Sequence, residues 1–330
     1  MSLEQICAVV AGGLGTDIFG LELERLVGPG ELEFGGRLHI GAGGKSRNIA
    51  QMLAVLLGES RVAMVGRTSR DPLGLWRVPV EALEQAGVNV RFVKIMPFEA
   101  GGKFPQVALI AVDRQGNNQI YVLPGINEDF SAGDIEEAVP AFQAATANGG
   151  LLVLSLELPT ATAVAAIRQA NACGLKVAFD PGGIQTGISY DKLLAHDIYL
   201  IKPNEHEAEI LTGIKVTGED TARQAARCFL ERGIRNVLIT MGADGACLLG
   251  ENLDLHIPAP RLALGQARDE TGCGDQTMAA LCASLLQGDD LATAAGAAVL
   301  AGTLQFHRAG IVPVTRAELA AAAGQSPTRI

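Results

Sequence analysis

From about residue 133 onward the sequence repeats a pattern that few folds accommodate: short apolar runs alternate with helical stretches. LLVLSLE (151–157), KVAFD (176–180), DIYLIKP (197–203) and NVLITMG (236–242) are each of strand length. Alternating β and α units with short connections imply an α/β fold, a doubly wound, mainly parallel sheet with helices on both faces. ICAVVAG (6–12) reads as a further strand, apolar enough to be covered on both faces. Ligands of such sheets bind outside the carboxyl ends of the strands, so the residues just after each strand are where chemistry is expected.

The earlier part of the chain reads differently. ELEFGGRLHIG near 31–41, VNVRFVKIM near 88–96, QVALIAV (106–112) and NQIYVL (118–123) alternate in polarity and predict a small antiparallel sheet or flap. Helix candidates lie between them at 46–58 and 73–86. No linker, low-complexity tract or repeat interrupts the 330 residues, so one domain over 1–330 is expected, with a β-rich lid built from segments near 31–41 and 88–123. A net charge of −10 argues against nucleic acid or an anionic membrane as the main partner. A phosphate site would then be built locally, from backbone N–H groups, a few basic side chains and a metal. The six cysteines show no CxxC pairs or Cys/His clusters, which suits free thiols in the cytoplasm rather than a zinc site or disulfides. No run suits a signal peptide or membrane span.

The most informative stretch is Arg268-Asp269-Glu270-Thr271-Gly272-Cys273-Gly274-Asp275, followed by the helix-like QTMAALCASLLQ. Two glycines bracket a small residue where a helix begins, and a helix N-terminus presents unpaired N–H groups to a developing anion. Asp275 falls on the first turn beside that anion hole, where a carboxylate can take the proton of an attacking hydroxyl. An Asp at this position also serves as an ordinary helix cap. The loop is not the GxxxxGK[ST] phosphate loop.

This stretch resembles the second signature, D-x-T-G-A-G-D, of the ribokinase-like (PfkB-type) carbohydrate kinases. Gly43-Gly44-Lys45-Ser46-Arg47-Asn48-Ile49-Ala50 resembles the first signature. Its GGK form is shared by ribokinases and by fructose-1-phosphate and tagatose-6-phosphate kinases. The resemblance runs from about residue 7 to 315. It implies ATP-dependent phosphorylation, with Asp275 as base and Gly272, Cys273 and Gly274 forming the anion hole. Asp17, Gly43, Gly44, Lys45, Asn48 and Glu157 match substrate-side positions. Asn204, Thr240, Gly242, Gly245 and His307 match the nucleotide side. Glu207 of the N-x-x-E motif would support Mg²⁺ through water, and Asp269 with the Ala309-Gly310 loop would surround a monovalent cation, K⁺ in ribokinases. A homodimer through the β lid is a further expectation. Simpler readings stay open residue by residue: a capping box for Asn204 and Glu207, hairpin glycines at 242 and 245, a surface lysine at 45, a small filler at Cys273.

Glu157, in Ser155-Leu156-Glu157-Leu158-Pro159, resembles the ribokinase strand end whose Glu contacts the sugar; phosphosugar kinases usually read S-G-S-L-P there. Two carboxylates, Asp17 and Glu157, would repel a phosphorylated acceptor. Arg47 is the opposing cation, but neighbouring helix positions do not share a face, so it is expected outside, against the flap or solvent. The favoured acceptor is therefore a neutral sugar or polyol, with nucleoside or phosphosugar kinases as alternatives. An inactive sugar-binding protein is least compatible with Asp275, Gly272 and Gly274. Four departures from the family pattern stand out: Cys273 where Ala is usual, Thr277 for the common Phe, a longer Gly66–Gly74 stretch, and Asp180-Pro181-Gly182-Gly183 without the Asn and Arg of D-x-N-x-R.

Overall fold

Odd and even residues of the first strand go to different cores. In the computed structural model, which describes residues 2–99, 101–262 and 268–324, Val9 and Ala11 pack into one apolar cluster and Ala8 and Val10 into another. That period of two is the signature of a strand covered on both faces.

The strands are β1 (Ala8–Ala11), β2 (Gly15–Leu23), β3 (Arg37–Gly43), β4 (Val62–Arg70), β5 (Asn89–Pro97), β6 (Gln106–Asp113) and β7 (Asn118–Leu123). They continue as β8 (Leu151–Ser155), β9 (Lys176–Asp180), β10 (Leu200–Ile201), β11 (Asn236–Thr240), β12 (Ala246–Gly250) and β13 (Leu253–Ile257). Nine of them form one sheet in the order β13-β12-β11-β10-β9-β8-β1-β4-β5, parallel except for the hairpin strands β12 and β13. Chain order runs outward from β1 in both directions, so the switch point lies at β1, between β4 and β8. A crevice at the carboxyl ends of these strands is the expected ligand site.

The helices are α1 (Lys45–Leu57), α2 (Arg77–Gln85), α3 (Ala132–Glu137), α4 (Val139–Ala147), α5 (Thr160–Cys173) and α6 (Asp191–Leu194). After them come α7 (Glu205–Thr212), α8 (Glu219–Glu231), α9 (Cys273–Leu286), α10 (Leu291–Phe306) and α11 (Arg316–Ala323). Phe142 of α4, Ala166 of α5 and Phe229 of α8 cover one face of the sheet. Met52 of α1, Leu83 of α2, Met278 of α9 and Ala298 of α10 cover the other. No helix among the described residues is long and apolar enough to cross a membrane.

A second sheet, in the order β3-β2-β6-β7, stands over the crevice. Its composition differs from the expected lid at two points. VNVRFVKIM forms β5 and pairs in parallel with β4 at the edge of the main sheet, while Gly15–Leu23, not foreseen as a strand, is the central lid strand β2. The strand expected near 31–41 begins only at Arg37.

Candidate active site

The site is assembled at two junctions. At the first, β1 runs through Gly12 and Gly13 into β2, and β3 returns from the lid straight into α1 through Gly43 and Gly44. A side chain at Gly43 would place its Cβ 1.9 Å from Asp17 Oδ1, and one at Gly44 (φ 93°) would lie 2.8 Å from the Gly13 carbonyl. Only glycine lets the chain pass here. Asp17 is therefore a residue of β2 held against the β3–α1 turn. Burial raises its carboxyl to about 6, with Arg47 opposing the shift and Asp275 adding to it.

Beyond the turn, the Lys45 amide donates to Glu157 Oε2 at 2.7 Å. Burial pushes the Glu157 carboxyl up, against the pull of Lys45. Lys45 Nζ lies 3.7 Å from Asp275 Oδ1, and that carboxylate, more than any other, holds the lysine charged. A Cβ at Gly182 would sit 2.6 Å from Lys45 Cε. Gly182, where the D-x-N-x-R pattern has its Asn, thus clears the path of this side chain. Ser46 and Ser155, one on each side of the switch point, pair through their hydroxyls at 2.6 Å.

The second junction is the start of α9. Gly272 takes φ 75° as the N-cap, a left-handed conformation that suits glycine. Cys273 N–H donates to Glu270 O at 3.1 Å and Gln276 N–H to Gly272 O at 2.8 Å. The amides of Gly274 and Asp275 have no acceptor among the described residues, so two donors remain at the positive end of the helix. Asp275 has a side chain only 6% exposed. Its Oδ2 accepts from Asn48 Nδ2 at 2.7 Å, while Oδ1 has no hydrogen-bond partner. The Cys273 thiol is pushed up to about 12 by burial and the neighbouring carboxylates Asp269, Glu270 and Asp275, which disfavours the thiolate. Thr277, in place of the common Phe, bonds back to Cys273 O at 2.8 Å and packs on Gly302 of α10, where a Cβ would come within 2.3 Å of its hydroxyl.

A buried pair on the neighbouring strand ends was missed from sequence. Lys202 Nζ meets Asp180 Oδ2 at 2.9 Å, each side chain 3% exposed. Burial alone would neutralise both, but mutual attraction keeps Lys202 charged and Asp180 below its ordinary range. The lysine stands beside the α9 loop: a Cβ on Gly274 would be 3.7 Å from its Nζ.

On the far side, Asn204 and Glu207 form the capping box that their spacing also allowed, with bonds of 2.8 and 2.9 Å. Burial, and next to it Asp180, raises the Glu207 carboxyl. Thr240 N–H donates to Pro203 O at 3.0 Å, bringing the ends of β10 and β11 together. Gly242 and Gly245 have φ of 51° and 87°, and a Cβ at 245 would lie 2.0 Å from Ile257 O, so the hairpin reading of these glycines holds in its own right. Asp269 accepts from Thr271 N–H at 2.9 Å and Gly310 N–H at 2.8 Å. Burial would raise its carboxyl, but these bonds outweigh it and hold it below the ordinary range. His307 ends α10 beside this loop, its buried Nδ1 without a partner among the described residues. The longer Gly66–Gly74 stretch extends β4 to Arg70 and then turns at Asp71, whose carboxylate accepts the amides of Leu73, Leu75 and Trp76.

Arg47 departs most from expectation. It is not outside: it is 1% exposed and lies under the lid strand. Its guanidinium donates to the carbonyls of Gly43 and Ala42, to Gln51 Oε1 and to Asn48 Oδ1. The first turn of α1 is enclosed by β3 as well as by α9, so it has no outer side at this level.

Two open helix-end amides, a buried carboxylate with one oxygen outside any hydrogen bond and a lid overhead are the parts of a phosphoryl-transferring enzyme. Comparison with known proteins makes that class specific. Residues 8–315 match the pfkB family carbohydrate kinase pattern, and the chain belongs to that family of ATP-dependent sugar kinases. It is similar to deoxyribokinase of Salmonella typhimurium, at 31% identity over 261 residues covering 79% of this chain and 80% of the relative. It is similar to ribokinase of Mus musculus, at 32% over 280 residues covering 84% and 81%. Its backbone superposes on Arabidopsis thaliana ribokinase complexed with ribose and ATP with a TM-score of 0.82, at 25% identity over 96% of this chain and 97% of that one.

Proposed function

We propose that the chain transfers the γ-phosphoryl group of ATP to a hydroxyl of a neutral sugar or polyol, with Asp275 as the general base. The observation that carries this reading is the asymmetry of the Asp275 carboxylate: Asn48 hydrogen-bonds Oδ2, whereas Oδ1 makes no hydrogen bond and has only the Lys45 ammonium, 3.7 Å away, beside it. An acceptor hydroxyl can donate to that oxygen and pass it the proton as it attacks. The open amides of Gly274 and Asp275, with Lys45 and Lys202 nearby, would steady the charge that develops on the transferring group. Lid strand β2 would close over the acceptor and exclude water, and the chain would work as one kinase domain.

Charge favours an unphosphorylated acceptor. Asp17, Glu157 and Asp275 face that end, Lys45 is engaged with two of them, and the guanidinium of Arg47 is already taken up by four acceptors. A dianionic phosphate there would meet net negative charge in a partly dry pocket. A nucleoside, whose ribose hydroxyls suit the same groups, is the second reading.

Mg²⁺ fits as an ion carried on the nucleotide phosphates: among the described residues no cluster of three or more His, Cys, Asp or Glu could cage a metal, and Glu207 offers a carboxylate beside the phosphate path. Bound there, it would neutralise phosphate oxygens. The Asp269 carboxylate, ionised and tied to the Gly310 loop, supports a K⁺ site on this side. Six unpaired thiols suit a reducing, cytoplasmic setting. The lid turns Leu38, Ile40, Leu109, Tyr121 and Leu123, all exposed, to one face, which supports a homodimer through the lid.

The test is Asp275→Asn assayed against pentoses, hexoses, polyols, nucleosides and phosphosugars. The wild type should prefer a neutral compound, and the variant should lose at least about 10²-fold in kcat with ATP binding little changed. Near-wild-type turnover of the variant would remove Asp275 as base. A wild-type preference for a sugar phosphate would remove the neutral acceptor.

A further inference from the structure

Arg47 is a buried cation whose guanidinium points away from bulk solvent and has no carboxylate in direct contact. Its acceptors are two lid-strand carbonyls, Ala42 and Gly43, and two side-chain amides, Gln51 and Asn48. A guanidinium only donates, so whatever atom of Asn48 faces it must be the acceptor. Arg47 therefore fixes the Asn48 amide with Oδ1 toward itself, which leaves Nδ2 on the other side. Nδ2 is the atom that donates to Asp275 Oδ2 at 2.7 Å. Turned the other way, the amide would set an oxygen against the carboxylate and two donors against the guanidinium, losing both bonds.

We propose that Arg47 is a positioning residue for the base: through Asn48 it locks the Asp275 carboxylate by one oxygen, leaves the other free for the acceptor, and ties that alignment to lid strand β3. The inference rests on the reading of Asp275 as base. Four observations support it independently of any ligand: the near-complete burial of Arg47, the identity of its acceptors, the direction of the Asn48 amide, and the absence of a hydrogen bond at Oδ1, which has only Lys45 Nζ 3.7 Å away. Arg47 also lies close enough to Asp17 to oppose the rise of its carboxyl, so its loss should be felt on the acceptor side too.

The test is a double-mutant cycle between Arg47 and Asn48, measured as kcat with both substrates saturating. Arg47→Lys keeps the charge but cannot hold Ala42, Gln51 and Asn48 at once. It should lower kcat by about 10- to 100-fold, the scale of a misplacement of about 1 Å at a reacting group, with the Kd for ADP unchanged. In an Asn48→Ala background, where the relay is already cut, the same change should cost less than about 2-fold. Full, additive loss in the Asn48→Ala background, or wild-type kcat in Arg47→Lys, overturns the relay. If Arg47→Lys does not fold, as judged by ADP binding, Gln51→Leu removes one of the four acceptors and carries the same cycle, with the same criterion of non-additivity. Asp275→Asn run in parallel separates the two readings: an active Asp275→Asn sinks the base itself, whereas an inactive Asp275→Asn beside additive Arg47 and Asn48 losses sinks only the relay.

Discussion

On the proposed function, Asp17 would link the lid to the acceptor through its protonation. Because burial lifts its carboxyl to about 6, it changes from a hydrogen-bond acceptor to a neutral acid near that pH. On the proposed role, kcat/KM for the acceptor should fall as pH drops through about 6 while the KM for ATP stays flat; a flat acceptor profile from pH 5 to 8 would take Asp17 out of substrate binding. Stability gives an independent check. The folded value lies above the ordinary aspartate value of 3.8, so between roughly 4 and 6 the folded state binds more protons than the unfolded one, and this group's contribution falls as pH rises through that window. Asp17→Asn should therefore melt above the wild type at pH 7, with the two converging below pH 4; a gap independent of pH would rule out burial of the charge as its cause. Residues of this kind were only partly legible in the sequence. The loop from Asp269 to Asp275 could be singled out because its candidate residues are seven in a row. Asp180 and Lys202 could not, because a buried ion pair joins positions on adjacent strands that a linear reading never sets side by side. Arg47 was misjudged by a sound rule applied to the wrong surroundings: helical neighbours do face apart, but the first turn of α1 is covered on more than one side.

Among the elements, the parallel strands were legible from their apolar runs, because a strand covered on both faces leaves little room for polar residues. The edge was not. β5 is mostly half-buried, with Asn89 and Val93 buried and Arg91 and Pro97 exposed, and a run of mixed polarity does not by itself say which sheet a strand joins. β2 was hidden because GTDIFGLEL carries two glycines and two acids in nine residues, and its partners lie on both sides of it in the lid. The β3–α1 junction makes the element-scale prediction. Gly43→Ala would drive a methyl group into the Asp17 carboxylate, and relief requires that side chain to swing away from its place. Acceptor KM should rise by about 10-fold or more, the penalty expected for a displaced binding group, with ADP affinity retained because the Asn204 and Thr240 side is remote in the fold. Equal loss of both affinities would mean that the whole crevice, rather than the lid junction, had been disturbed.

At the scale of the molecule, the outward face of the lid is unusual for a chain with net charge −10. Leu38, Tyr121 and Leu123 are at least half exposed, and cross-strand register joins them with Ile40 and Leu109 in one patch. Patches of this sort mark association surfaces. If two copies meet there, Tyr121→Glu should halve the mass seen by sedimentation equilibrium and leave the melting temperature of the main domain nearly unchanged; a wild-type chain that is already monomeric at high concentration would remove the interface. The sequence disclosed the apolar strands of the lid but not their common face, since that depends on register between segments far apart in the chain.

The direct run of β3 into α1, without a hinge of any length, has a further consequence. A cover that swings on a loose loop can shut over an empty chamber and let solvent attack the nucleotide. Here the descending strand carries the Ala42 and Gly43 carbonyls that hold Arg47, and the next turn carries Lys45 and Asn48, which reach Asp275. Displacement of the cover would disturb the base, so an open enzyme would be a disarmed one, and futile hydrolysis of ATP would be suppressed by the same few residues that admit the acceptor.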